Sequence, residues 1–175
     1  METTLTTNFK IQYDPSEFTA GEQSGVKARA AALAGACESD LSTLAGWFGV
    51  NVGSKFGSSN RITVTLTKNV RGASNTGYSS NGSQMRVNPE LGSTDDFVFG
   101  LFVAELSEIL MTLGSWNPGD SSGEGQSAAL AETETACGCA SASRFATMLY
   151  TDGLKGSPMC VPVTPKLFAG FWLMQ

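Results

Sequence analysis

Three glutamates in this chain have the residue type and spacing for chemistry. Glu105 and Glu108 lie three apart in an apolar run, Phe97-Val-Phe-Gly-Leu-Phe-Val-Ala-Glu-Leu-Ser-Glu-Ile-Leu-Met-Thr-Leu113. Glu124 follows in Gly-Asp-Ser-Ser-Gly-Glu-Gly. In a helix, a spacing of three puts Glu105 and Glu108 on one face, and Thr112 extends the stripe. If the loop over 115–125 folds back on the helix, Glu124 and Asp120 join them. Carboxylates gathered in a partly buried cleft repel one another, so either one keeps its proton or a cation sits between them. Ligands that are all oxygen favour Ca²⁺, Mg²⁺ or Mn²⁺ over zinc. A bland alternative stands beside this one. The two helix glutamates form a solvated stripe, Glu124 caps its own helix, or the carboxylates hydrogen-bond loop amides and close the cleft.

The chain contains no histidine. That removes Ser-His-Asp and Cys-His nucleophilic systems and every His-ligated zinc, haem or iron site. Other candidates are weaker. Trp116, on the turn Trp116-Asn-Pro-Gly-Asp120, can stack on a sugar or pack on a neighbouring helix. Trp47-Phe48 reads as a core anchor. Arg71-Gly-Ala-Ser-Asn-Thr-Gly77 offers amides to an anion or is simply a turn. Cys37, Cys137, Cys139 and Cys160 permit two disulfides, or remain buried and free thiols.

The elements that must position these residues follow from periodicity. Phe9–Tyr13 alternates as a strand and is ended by Asp14-Pro15. A helix is expected from about Thr19 to Phe48, with a stripe of Val26, Ala30, Leu33, Ala34, Cys37, Leu41, Leu44 and Phe48 and a stop at Gly49. The segment 50–60 reads as loop. Arg61–Thr67 is the clearest strand, with Ile62, Val64 and Leu66 on its apolar face. Residues 69–82 are rich in Gly, Asn and Ser, and Gln84–Asn88 is a second strand halted by Pro89. Ser93 or Thr94 can cap the glutamate helix, which begins near Asp95, is apolar on nearly every side and so belongs at the centre of the fold. Ser121-x-x-Glu124 has capping-box spacing for a helix to about Thr135. Shorter helices are expected over 141–150 and 166–174.

A length of 175 residues fits one domain. The net charge of −5 and the lack of basic runs argue against a nucleic-acid partner. No apolar run approaches the roughly 20 residues of a membrane span. The N-terminus shows no basic-then-apolar leader, so the expected location is cytoplasmic if Met1 is native and extracellular if a leader was removed.

The order of these segments resembles the zincin metallopeptidases, in which His-Glu-x-x-His on a helix is followed by a downstream Glu ligand. It is most similar to a histidine-poor, uncharacterised bacterial branch of them. The segments that carry the resemblance are Tyr13-Asp14, Asp40-Leu-Ser-Thr-Leu-Ala-Gly-Trp-Phe-Gly49, Gly72-Ala-Ser-Asn75, Ala104-Glu-Leu-Ser-Glu108 and Gly123-Glu-Gly-Gln-Ser127. The resemblance covers about 9–136, and 137–175 reads as a helical C-terminal part. The resemblance implies a single α+β domain, with a small mixed sheet packed on a long N-terminal helix and a central buried glutamate helix. It places Glu105 at the base position and Glu124 at a possible third-ligand position, while Ala104 and Glu108 replace the histidines. The expectation is a catalytically inactive, metallopeptidase-like domain that needs no cofactor and works by binding or assembly, through an unidentified protein partner or self-association. Two alternatives stay open. One is a hydrolase with Glu105 as general base and a hard cation held by Glu105, Glu108 and Glu124. The other is a structural subunit of a larger bacterial assembly.

Overall fold

A computed structural model describes residues 1–113 together with Ser127 and Ala129. Its first strand, β1 (Glu2–Leu5), turns through Thr7-Asn8 into β2 (Phe9–Tyr13). After a 3-10 turn at Pro15–Glu17 comes the long helix α1 (Gln23–Phe48). A single helical turn, α2 (Val52–Lys55), leads to β3 (Ile62–Leu66), β4 (Ala73–Asn75) and β5 (Gln84–Val87). The glutamate helix is α3 (Asp95–Leu113).

The five strands form one mixed sheet in the order β1-β2-β3-β5-β4. The central strands β2, β3 and β5 run parallel, with Ile11 beside Val64 and Val64 beside Met85. Both edge strands are antiparallel to their neighbours. Strict alternation decides which face is covered. Phe9, Ile11, Tyr13, Ile62, Val64, Leu66, Met85 and Val87 are buried, and they share one core with Val26, Leu33, Leu41 and Leu44 of α1 and Val98, Phe102, Leu106 and Ile109 of α3. Both helices therefore cover the same face of the sheet. The other face is polar, with Lys10, Gln12, Thr63, Thr65, Gln84 and Arg86, and the Gln12 amide donates to the Thr65 hydroxyl at 3.1 Å. At the centre the rings of Phe9 and Phe102 lie 5.7 Å apart and tie β2 to α3.

Polar contacts fix the ends of the helices. Gly49 closes α1 in the left-handed conformation, at φ 64°, and its N–H reaches the carbonyls of Ala45 and Gly46. Thr94 caps α3 by accepting from the Phe97 N–H at 3.4 Å. Buried Arg29 crosses from α1 to the start of α3, where it pairs with Asp95 and donates to the Ser93 carbonyl at 3.1 Å. Glu38 of α1 pins the first hairpin. Its carboxylate accepts from the Thr6 hydroxyl at 2.5 Å, the Asn8 N–H at 2.7 Å and the Asn8 side-chain amide at 2.7 Å. Burial pulls the Glu38 pKa up, but these donors and the Thr7 N–H outweigh it and hold the carboxyl below its ordinary value.

Several expectations need correction. The helix begins at Gln23 rather than Thr19, because residues 19–22 form a turn in which the Glu22 carboxylate accepts from the Thr19 N–H and hydroxyl at 2.9 Å. Strands β1 and β4 and the helical turn α2 lie where loop or no element was expected. Trp47 is 37 % exposed and not a core anchor, because the α1 face that meets the sheet runs through Leu41, Leu44, Ala45 and Phe48 and turns Trp47 away. Cys37 is a buried free thiol, pushed up to about 11 by burial. The other three cysteines and the helices expected after residue 114 lie outside the described residues. Among the described residues, no helix is long and apolar enough to cross a membrane.

Candidate carboxylate site

The site is built where the edge strand β4 meets α3. Leu106, Ile109 and Leu110 on the neighbouring faces of α3 are buried in the core. This fixes the helix rotation, so Glu105, Glu108 and Thr112 form a half-buried stripe facing β4. Asn75, the last residue of β4, reaches across. Its Nδ2 donates to Glu105 Oε2 at 2.7 Å and to Glu108 Oε2 at 2.8 Å. A side-chain NH₂ has two hydrogens, and here each carboxylate takes one. The other end of the same amide accepts from the Gly77 N–H at 2.6 Å. That contact fixes the amide orientation, because a flip would aim an oxygen at two carboxylates and leave two N–H groups face to face.

The chain just after β4 then lies down along α3. The Tyr78 N–H donates to the Thr112 hydroxyl at 2.7 Å, and that hydroxyl donates to the Ile109 carbonyl at 2.7 Å. Gly77 permits the approach. Its φ is 70°, and a Cβ there would stand 3.1 Å from Thr112 Cγ2. From the downstream side, the buried Ser127 hydroxyl donates to Glu108 Oε1 at 3.0 Å. Glu108 thus accepts from β4 on one oxygen and from Ser127 on the other.

Of the sequence candidates, Glu105 and Glu108 are brought together, with Thr112 beside them. Glu124, Asp120 and Trp116 lie outside the described residues. Arg71–Gly77 is more than a turn, since it contains β4 and delivers Asn75. Sequence reasoning gave Asn75 and Ser127 no chemical role. The only signal was that each closes one of the short segments set beside the glutamate helix, Gly72-Ala-Ser-Asn75 and Gly123-Glu-Gly-Gln-Ser127.

Among the described residues the donors near Glu105 are not those of a His-ligated zinc site. There is no imidazole, Ala104 offers no ligand atom, and Asn75 turns N–H donors toward the carboxylate pair in place of lone pairs. Glu105 and Glu108 retain oxygens of the hard-cation type, but in this arrangement both are hydrogen-bond acceptors from protein groups. No protein-family model, no curated protein and no solved structure matches this chain.

Proposed function

We propose that this chain is a zincin-like domain that has given up hydrolysis and works by binding or assembly. The observation that carries this reading is the Asn75 amide, which donates to Glu105 at 2.7 Å and Glu108 at 2.8 Å. A hydrolytic zincin needs a metal to lower the pKa of its water and a carboxylate free to take the proton. Here the carboxylate at the base position is engaged by a neutral donor, and the position three residues on is a second acceptor of the same amide. The element order supports the scaffold part of the reading. A strand, a long helix, a parallel strand and the glutamate helix follow one another, with an antiparallel edge strand against that helix.

The experiment is a peptide-library cleavage assay with Zn²⁺, Mn²⁺, Mg²⁺ or Ca²⁺ added, run on the wild type and on Glu105→Gln. The expected result is no cleavage by either protein. Cation-dependent cleavage that disappears in Glu105→Gln would overturn the proposal and establish the carboxylate hydrolase in its place.

A further inference from the structure

We propose that Asn81 is a site of spontaneous covalent modification, converting to aspartyl and isoaspartyl forms through its junction with Gly82. Asn81-Gly82 is the single Asn-Gly pair in the sequence. It sits on the connection from β4 to β5, where Asn81 is exposed and its side-chain amide makes no hydrogen bond to a described residue. Gly82 takes φ 101°, and a Cβ there would lie 3.2 Å from the Arg61 carbonyl oxygen. The fold therefore holds at this position the one residue type that leaves the following nitrogen unhindered. Each of the other described asparagines precedes a residue with a side chain, and Asn88 precedes Pro89, which has no N–H to lose.

The reaction needs only water. The Gly82 nitrogen gives up its proton and attacks Cγ of Asn81, forming a five-membered imide. The Cγ–Nδ2 bond breaks, and that nitrogen leaves with the proton as ammonia. Water then opens the ring. Addition at Cγ returns the normal backbone with an aspartate side chain. Addition at the backbone carbonyl leaves the chain running through Cγ, one methylene longer. Either product adds a negative charge to a chain that already carries −5.

The turn meters this chemistry. The Gly82 N–H donates to the Ser79 carbonyl at 3.1 Å, and the Asn81 N–H donates to the Ser79 hydroxyl at 3.2 Å. The nitrogen becomes a nucleophile only when the turn opens, so the native protein reacts more slowly than the unfolded chain. The isoaspartyl product lengthens the backbone between Asn81 and Gly82, one residue ahead of Ser83, a buried residue whose hydroxyl accepts from the Ser79 N–H at 3.1 Å. It therefore loosens the same connection that seats Tyr78 on Thr112 of α3.

The test is peptide mapping by mass spectrometry, with enzymatic isoaspartate detection, after incubation of the full chain at mildly alkaline pH, native and in urea. The expected result is that Asn81 is the first described asparagine to react in both conditions. The native rate should be roughly five- to tenfold below the unfolded one, the factor for opening one turn hydrogen bond. Asn81→Gln should lose the signal, and Asn81→Asp should match the aspartyl product. Reaction at Asn81 in urea but none in the native protein would overturn the proposal, as would earlier reaction at another described asparagine.

Discussion

Asn75 holds its place through both ends of one amide, and that makes it the most informative position to change. Asn75→Ala removes the donor shared by Glu105 and Glu108 and frees the Gly77 N–H. The expected loss is about 1–3 kcal/mol in urea denaturation at neutral pH. Asn75→Asp should lose more, because it sets a third carboxylate against the first two. An Asp variant as stable as the Ala variant would mean that the amide does not stand between those carboxylates. Glu90 is the other telling residue. It takes φ 40°, the only non-glycine with positive φ among the described residues, at the turn where Ser93 donates to its carbonyl from both backbone and side chain at 2.7 Å. Glu90→Gly should raise stability by roughly 0.5–1 kcal/mol, because relief of left-handed strain exceeds the added chain entropy. A midpoint that falls instead would place Glu90 in a contact that its side chain makes.

At the scale of elements, the first hairpin depends on α1 through Glu38. Its carboxyl titrates below its ordinary value in the folded chain, since the donors from Thr6, Thr7 and Asn8 outweigh burial. A carboxyl whose folded pKa is depressed adds stability that is fully present above its unfolded value, near about 4.3. That stability is lost as pH falls through the folded value. Glu38→Gln should therefore cost about 1–3 kcal/mol at neutral pH, and the gap from wild type should narrow as pH falls below about 4. A gap that is constant with pH would remove the charge from the explanation. The α3–sheet contact is a matter of volume. Phe102 is fully buried against Phe9, and Phe102→Ala should cost about 3–5 kcal/mol.

At the scale of the molecule, the binding-or-assembly reading divides on mass. Assembly predicts by light scattering a species well above the 18.3 kDa of one chain, and a monomer at high concentration would leave binding to another protein as the remaining form. Local rules in the sequence determined a good deal. Phe9–Tyr13 and Ile62–Leu66 alternate, so their strands and buried faces were readable, and the three-residue spacing of Glu105 and Glu108 put them on one stripe of the helix Asp95–Leu113. Periodicity also named most of the core residues of α1. The short edge strands were not readable. Ala73–Asn75 and Glu2–Leu5 are held by pairing to β5 and β2, and neither has a hydrophobic pattern of its own. Only the tertiary structure decided that both helices share one face of the sheet, that Trp47 turns away from it, and that Asn75 arrives between two glutamates 30 and 33 residues further along the chain. The physical reason is range. Side-chain type and period act between near neighbours, whereas the partner of a half-buried carboxylate is set by which edge of the sheet the helix packs against.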